Sequence, residues 1–181
     1  MIKTKEDYLY YLEQDRKQMM IGRTKISKFE PIWTFVKLLR KCEYQKNSSN
    51  KILNILYYFN LFKFRKLSHK LGYSIPLNSI GPGISLPHYG TLVIARKAKI
   101  GANARIHIAV NIDGADDGFP TIGNNVYIGP GAKIFGPIVI GDNVKIGANA
   151  VVNKSFPEGN FTLVGVPAKR VNEKVDLNGA R

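Results

Sequence analysis

Residues 80–91, IGPGISLPHYGT, contain one ionisable side chain, His88, among glycine, proline and aliphatic residues. A neutral imidazole near its ordinary pKa can take a proton from a hydroxyl group while that hydroxyl attacks an acyl group. The same ring can equally be a polar residue at a turn, hydrogen-bonded to a nearby backbone carbonyl. The residue types alone leave both interpretations open, and the choice depends on the elements that position His88.

An aliphatic residue recurs every six positions over the second half of the chain, and His88 lies within this pattern. The period slips twice, by two residues after Leu92 and by four between Ile112 and Ile122. Glycine often follows the leading residue, and a small or branched apolar residue often stands four positions after it. The leading residues are Ile80, Leu86, Ile94, Ile100, Ile106, Ile112, Ile122, Ile128, Ile134, Ile140 and Ile146.

A period of six does not fit an α-helix, but it fits a short strand followed by a turn. Three such hexapeptides make one triangular coil of a parallel β-solenoid, in which the leading residues point inward and stack from coil to coil. Glycine, asparagine and aspartate at the corners accept positive φ. His88 stands two positions after the leader Leu86, so we expect it at or near a corner rather than in the core.

The first 73 residues follow a different pattern, with apolar residues at helical spacing. The sequence predicts three helices: the first opens with a capping box between Thr4 and Asp7, the second begins near Pro31, and the third ends at Gly72. We therefore predict a mainly β protein. A helical region over residues 1–73 precedes a solenoid over residues 74–170 and a tail over residues 171–181.

Positive charge is concentrated in the helical region. The chain carries a net charge of +14, and residues 1–73 hold 16 Lys and Arg against 6 Asp and Glu. No helix-turn-helix, zinc-finger or RRM signature accompanies this charge, so we do not expect a nucleic-acid partner. Neither a signal-peptide pattern nor a run of about 18 apolar residues occurs, and we expect a cytoplasmic protein.

Aromatic and basic residues occur together in the third predicted helix. They can form an anchor on an anionic membrane surface, or the aromatic rings can pack into a helical core with the cations facing water. These residues are Tyr57, Tyr58, Phe59, Phe62, Lys63, Phe64, Arg65 and Lys66.

The remaining reactive side chains do not indicate a second kind of chemistry. Cys42 is the single cysteine and cannot form an internal disulfide, so we interpret it as a bystander. We interpret His69, near the end of the third helix, as a structural residue. No Cys/His cluster has the spacing of metal ligands, and the sequence predicts no metal site.

The hexapeptides and the closing segment NKSFPEGNFTLVGVPAKRV resemble the hexapeptide-repeat acyltransferases over roughly residues 74–170. Within that family the resemblance is to the serine acetyltransferase branch, including relatives that acetylate sugars during capsule and exopolysaccharide synthesis. It implies a left-handed parallel β-helix, acetyl-CoA as donor without a metal, and a homotrimer with active sites between solenoids. LPHYGT falls on the family segment whose histidine is the general base, so the resemblance implies that role for His88.

The resemblance also implies a CoA site in the groove between two solenoids. His107 falls on an aliphatic position of the relatives, and we interpret it as structural. The residues that match the CoA site by position are Gly114, Gly129, Gly131, Lys145, Ala148 and Lys169, with Arg170 as an additional candidate.

Three positions differ from the serine acetyltransferases. The Asp before their catalytic histidine is replaced by Pro87, an assisting acidic residue by Tyr73, and a second histidine by Phe119. We therefore expect an O-acetyltransferase that acts on a hydroxyl of a sugar or polysaccharide precursor. A serine O-acetyltransferase of cysteine biosynthesis and a non-catalytic hexapeptide-repeat scaffold are the alternatives.

The four-residue slip of the repeat adds a loop, IDGADDGFPT, with three carboxylates. These side chains can hydrogen-bond sugar hydroxyls or orient His88 across a subunit boundary, or the loop can simply be a good turn. The three residues are Asp113, Asp116 and Asp117.

Overall fold

The computed structural model describes residues 1–22, 26–27 and 30–171. Three helices precede the solenoid: α1 (Lys5–Met20), α2 (Pro31–Asn47) and α3 (Lys51–Leu71). The Asp7 N–H donates to the Thr4 hydroxyl and the Asp7 carboxylate accepts from the Thr4 N–H, which confirms the predicted capping box. Gly72 ends α3 with a φ of 78°, as predicted. Residues 172–181 of the predicted tail lie outside the described residues.

Short strands fill residues 73–171 and return at regular intervals. In chain order they are β1 (Tyr73–Ser74), β2 (Leu92–Ile94), β3 (Lys99–Ile100), β4 (Arg105–Ile106), β5 (Val110–Asp113), β6 (Thr121–Ile122), β7 (Tyr127–Ile128), β8 (Lys133–Phe135), β9 (Val139–Ile140), β10 (Lys145–Ile146), β11 (Val151–Val152), β12 (Thr162–Val164) and β13 (Lys169–Val171).

These strands form three sheets, which are the three sides of the solenoid. Sheet A has the order β1-β2-β5-β8-β11, sheet B the order β3-β6-β9, and sheet C the order β13-β12-β10-β7-β4. All neighbouring strands pair in parallel except β12 and β13, which pair antiparallel. The chain passes from sheet A to B to C in each coil, so the predicted solenoid is confirmed.

The leading residues of the hexapeptides form the core, as the period of six predicts. Leader stacks on leader: Ile112 pairs with Ile134 in sheet A, and Ile106 pairs with Ile128 in sheet C. All eleven leaders expose 5% or less of their surface. A strand of two residues buries too little to be stable alone, so each coil depends on its neighbours for stability.

One corner of the solenoid is lined by a ladder of asparagines. Asn103, Asn125, Asn143 and Asn160 each have a φ between 55° and 67°. The amide of each one donates to the side-chain oxygen of the next, at 2.9, 2.9 and 3.0 Å. Asparagine suits this position because its short side chain tolerates the left-handed region and also bridges consecutive coils.

A buried ionic cluster joins the helices to the first coil. The Arg40 guanidinium contacts the carboxylates of Asp15 at 2.8 Å and Glu43 at 3.0 Å, and it donates to the carbonyls of Ile80 and Gly81. Burial alone would lower the pKa of Arg40, but the two carboxylates raise it above its ordinary value. One Asp15 oxygen also accepts from two backbone N–H groups, those of residues 83 and 84.

Helix α3 has two apolar faces, and only one of them is packed. Phe64 is buried in the core and Tyr57 packs against it. Other large apolar side chains of α3 are 45–73% exposed: Ile52, Ile55, Leu56, Tyr58, Phe59 and Phe62. The interpretation that the aromatic residues pack into a helical core is therefore correct for two of them and wrong for Tyr58, Phe59 and Phe62, because they lie on the opposite face. In the described part of the chain, no helix combines the length and apolar character that a membrane span requires.

Candidate active site

His88 lies at the corner where the chain passes from sheet C to sheet A. Ser85 pairs with Arg105 and the buried leader Leu86 follows it, so the chain turns at Pro87 and His88 before β2. The His88 ring is exposed, and no hydrogen bond to it occurs among the described residues. An exposed imidazole that has no hydrogen bond to the described residues can meet a ligand or a second chain at this corner.

A hydrogen bond from Tyr73 supports the backbone of His88. The buried Tyr73 hydroxyl donates to the His88 carbonyl at 2.7 Å. Burial raises the pKa of Tyr73, so the phenol stays a neutral donor. Tyr73, at the position where the resemblance implies an acidic side chain, therefore supports the main chain at His88.

The ring of His107 lies next to His88, one coil further along the solenoid. The two ring centroids are 6.1 Å apart, and the His107 centroid is 5.1 Å from that of Tyr127 on the following coil. The Arg105 Nε donates to the His107 Nε2 at 3.4 Å. Burial, then Arg105, then His88 lower the pKa of His107, so this ring is neutral at physiological pH.

Sequence reasoning treated His107 as structural and did not place it beside His88. The signal was present in the repeat, because His107 follows the leader Ile106, which stacks on the coil that contains Leu86. Corners of consecutive coils lie above one another, so residues just after stacked leaders are neighbours. The register of the solenoid therefore places the two imidazoles together.

The acidic loop lies at the other end of sheet A. Strand β5 begins just after the His107 corner and ends at Asp113, and a four-residue strand spans about 13 Å. Residues 115 and 118 pair in a tight antiparallel turn, and Asp113 accepts from the N–H of Gly114 at 2.8 Å. Phe119 packs against Gly114 and is covered by Lys97, whose Nζ is 5.4 Å from the ring centroid. Within one chain, Asp113, Asp116 and Asp117 are therefore not beside His88.

The six residues matched to a CoA site lie on three parts of the solenoid. Gly129, Gly131 and Ala148 are on the His88 corner, in the coils that follow it: the Gly131 N–H donates to the Ile108 carbonyl, and Gly129 lies against Ala148. Lys145 and Lys169 lie on sheet C, the first in β10 and the second in the antiparallel edge strand β13. Gly114 lies on the acidic loop.

Gly129 also has a structural reason to be glycine. A Cβ on it would stand 2.8 Å from the backbone nitrogen of Ala148 in the next coil. The coils therefore approach closely at this corner, and a side chain on Gly129 would not fit there.

Two grooves of the described chain lie near these elements, and His88 lines neither. One of about 490 Å³ runs past the end of α3 and contains His69. The other, of about 310 Å³, is lined by Arg105, Tyr127 and Lys145 of sheet C together with the end of α1. In the described chain, no three His, Cys, Asp or Glu residues are grouped so that they could hold a metal ion.

Comparisons with known proteins find a likeness between part of this solenoid and a family of hexapeptide-repeat transferases. Residues 119–154 match the family "Bacterial transferase hexapeptide (six repeats)". Serine acetyltransferase of Helicobacter pylori (strain J99) is 39% identical over 102 residues, which are 54% of this chain and 59% of that protein. The chain thus corresponds to about three fifths of that relative's length.

Solved serine acetyltransferases have the same fold. The enzyme from Brucella abortus strain S19 is 26% identical with a TM-score of 0.72, and the match covers 94% of this chain and 71% of that one. A serine acetyltransferase in complex with CoA gives a TM-score of 0.73 over 92% of this chain and 71% of that one. At 24% identity, this second likeness concerns the fold alone.

The comparisons correct one expectation from the sequence. The prediction of a sugar acceptor is wrong, because the relatives in sequence and in structure are serine acetyltransferases. That prediction depends on the replacement of polar residues at three positions. Two of the replacements have structural roles that do not indicate a sugar: Tyr73 supports the His88 backbone, and Phe119 packs in the acidic loop. Residues 119–154 match the hexapeptide-repeat transferases, the fold is a left-handed parallel β-helix, and the chain resembles the serine acetyltransferases in sequence and in structure.

Proposed function

We propose that this chain is a serine O-acetyltransferase that takes its acetyl group from acetyl-CoA, with His88 as the general base. The supporting observation is the position of His88, whose exposed ring stands at a solenoid corner in a chain that resembles serine acetyltransferases. The alternative that the imidazole is only a polar corner residue has no internal hydrogen bond in its favour among the described residues.

The reaction is a direct transfer. His88 removes the proton from the serine hydroxyl as the oxygen attacks the thioester carbonyl, forming the new C–O bond. Backbone N–H groups at the crowded corner stabilise the tetrahedral oxyanion. The C–S bond then breaks, and the imidazolium returns its proton to the CoA sulfur. The reaction gives O-acetylserine and CoA without a covalent enzyme intermediate.

The proposal includes a homotrimer with CoA in the groove between solenoids. Gly129, Gly131 and Ala148 would lie along the pantetheine arm, because they occupy the His88 corner in the coils that follow it. Lys145 and Lys169 would meet the phosphates, and Gly114 would come from the acidic loop of a neighbouring chain. Association also explains how that loop can reach His88, from which it is separated by sheet A within one chain. A cytoplasmic location belongs to the same proposal, since acetyl-CoA is available there.

We also propose that α3 touches anionic membrane surfaces. Its exposed apolar residues occupy the first part of the helix, and the cations Lys63, Lys66 and Lys70 continue along the exposed side. Vesicles containing phosphatidylglycerol should sediment the protein, and the double change Phe59→Ser and Phe62→Ser should abolish this. Equal sedimentation of the double variant, or equal binding to neutral vesicles, would contradict the contact.

The activity is tested by incubating the purified protein with acetyl-CoA and L-serine, measuring free thiol and identifying O-acetylserine by mass spectrometry. His88→Ala should lower kcat by at least about 100-fold, in line with the usual contribution of a general base. His69→Ala is the matched control, because His69 is an exposed histidine on α3, and it should keep full activity.

Two results would contradict the proposal. If His88→Ala acetylates serine as fast as the unchanged protein, then His88 is not the base. If the unchanged protein releases no thiol with serine while its circular dichroism shows a folded chain, then serine is not the acceptor.

A further inference from the structure

A second imidazole and a guanidinium stand next to the proposed base and have no part in the mechanism above. His107 lies between His88 on one coil and Tyr127 on the next, and its ring is half-buried. It is not a member of the apolar core, which at this level contains the leaders Ile106 and Ile128. Filling space is therefore not a sufficient reason for a histidine here.

The hydrogen bond from Arg105 determines which nitrogen of His107 carries the proton. Because Arg105 Nε donates to Nε2, the neutral ring carries its hydrogen on Nδ1 and keeps one donor for a ligand. Arg105 uses only Nε in this contact, so its remaining guanidinium N–H groups are also donors. The pair thus offers several N–H groups and one full positive charge.

The distance between the two histidines fits a small bifunctional acceptor. Ring centroids 6.1 Å apart do not form a direct hydrogen bond, and none occurs between the two rings. A molecule that places its hydroxyl at His88 and a second polar group at His107 can contact both rings through hydrogen bonds of about 2.8 Å. In serine, the hydroxyl and the carboxylate are separated by only two carbon atoms and can span such a gap.

We propose that Arg105 and His107 form the subsite that binds the carboxylate of the acceptor while His88 takes the proton from its hydroxyl. This assignment rests on the proposed function, because it concerns the acceptor of that reaction. The guanidinium supplies charge-assisted hydrogen bonds to the carboxylate, and the neutral His107 ring adds a directional donor beside the base. The two residues determine specificity for an amino acid over a simple alcohol.

The test compares two acceptors that differ only in the carboxylate, L-serine and L-serinamide. Arg105→Gln should lower kcat/KM for L-serine about 10- to 100-fold, because a hydrogen bond to a charged group is lost. The same change should alter kcat/KM for L-serinamide less than about threefold. His107→Phe keeps an aromatic ring against Tyr127 but removes the N–H donor, so kcat/KM should fall about tenfold with L-serine and stay unchanged with L-serinamide. His107→Gln retains an N–H donor and should restore most of the kcat/KM for L-serine.

Matched controls separate this subsite from general effects on the fold or on CoA. Arg96→Gln removes an exposed arginine elsewhere in the solenoid and should change neither acceptor's kcat/KM. The KM for acetyl-CoA should stay the same in all of these variants. Equal losses with L-serine and L-serinamide in Arg105→Gln would overturn the assignment, as would full activity on L-serine in both Arg105→Gln and His107→Phe.

A binding measurement keeps this test independent of turnover. The chain has three histidines, so each imidazole signal can be assigned by NMR from single variants. L-serine added without acetyl-CoA should shift the His107 signal in the unchanged protein but not in Arg105→Gln, and L-serinamide should shift it less. Absence of turnover alongside this pattern would contradict the proposed function while supporting the carboxylate subsite. Absence of any His107 shift with L-serine would overturn the subsite.

Discussion

His107 shows how one ring's surroundings set its protonation. Burial, the cation Arg105 and the neighbouring His88 all disfavour the imidazolium form, in that order. An exposed histidine differs because water stabilises its protonated form. Its lowered pKa has consequences both for ligand binding and for the pH dependence of folding.

We predict that His107 titrates below the ordinary value of about 6.5 and that Arg105→Gln raises its pKa. Because the folded pKa is lowered, the stabilisation is present above the unfolded value and is lost as the pH falls through the folded value. Urea unfolding between pH 7.5 and 5 should therefore show a smaller acid destabilisation in His107→Gln than in the unchanged protein. An NMR pKa at or above 6.5 would contradict the assigned environment.

Ala109, two residues after His107, has a left-handed backbone. Its φ is 59°, whereas Gly131 and Asn149 occupy the corresponding positions of the next coils. Ala109→Gly should raise the free energy of unfolding by about 0.5–1 kcal/mol, because glycine adopts this φ without a Cβ clash.

Urea unfolding of Ala109→Gly is best compared with Ala148→Gly. Ala148 is exposed on the same corner, and its φ is not positive. Glycine there should destabilise by about 0.5–1 kcal/mol, since it only adds flexibility to the unfolded chain. If both substitutions change stability in the same direction, backbone strain at Ala109 is not the cause.

At the scale of elements, the Arg40 cluster holds α1 and α2 on the first coil. Asp15 of α1 contacts both the guanidinium and the backbone N–H groups of Gly83 and Ile84, five and four residues before His88. Glu43 adds the second carboxylate from α2. The helices are therefore attached to the segment that leads into the His88 corner, the proposed active site, through charge as well as through apolar packing.

We predict that Asp15→Asn lowers the free energy of unfolding by about 3–5 kcal/mol, because it leaves the buried Arg40 with one carboxylate. Glu13→Gln is the control on the same helix. Glu13 is half-exposed and pairs with Arg16 and Lys17 at 3.8 and 3.6 Å, so its loss should cost at most about 0.5 kcal/mol. Chemical denaturation measures both, and similar values for the two variants would show that the buried cluster adds no particular stability.

At the scale of the whole molecule, the site proposed here is incomplete in one chain. His88 and the carboxylates of the acidic loop stand at opposite ends of the sheet A strands. A neighbouring solenoid can bring its loop to the His88 corner, and a closed ring of three chains repeats this contact three times.

We predict that light scattering shows a trimer. We also predict that two inactive variants restore activity to each other when their chains are mixed. One variant carries His88→Ala, and the other carries Asp113→Asn, Asp116→Asn and Asp117→Asn together. After the mixed chains are unfolded and refolded, about a quarter of the sites should combine an intact histidine with an intact loop, if chains associate at random. A monomer, or a loop variant with full activity alone, would contradict a site shared between chains.

The repeat shows what the sequence by itself determined. Leaders at a period of six can be buried together only if the chain coils in threes, so the solenoid, its core and the corner position of His88 follow from local pattern. The helices follow likewise from apolar spacing and from caps such as Thr4 and Gly72. These features depend on residues near one another in the chain, which is why a linear pattern reveals them.

Only the tertiary structure decided which side chains meet. Arg105, His107 and His88 come together because two coils stack in one register, and the acidic loop is separated from them by the length of a strand. Arg40 is buried because α1 and α2 close over the first coil. Such contacts join residues far apart in sequence, and their geometry depends on the side-chain directions at each corner, which the period of six does not specify.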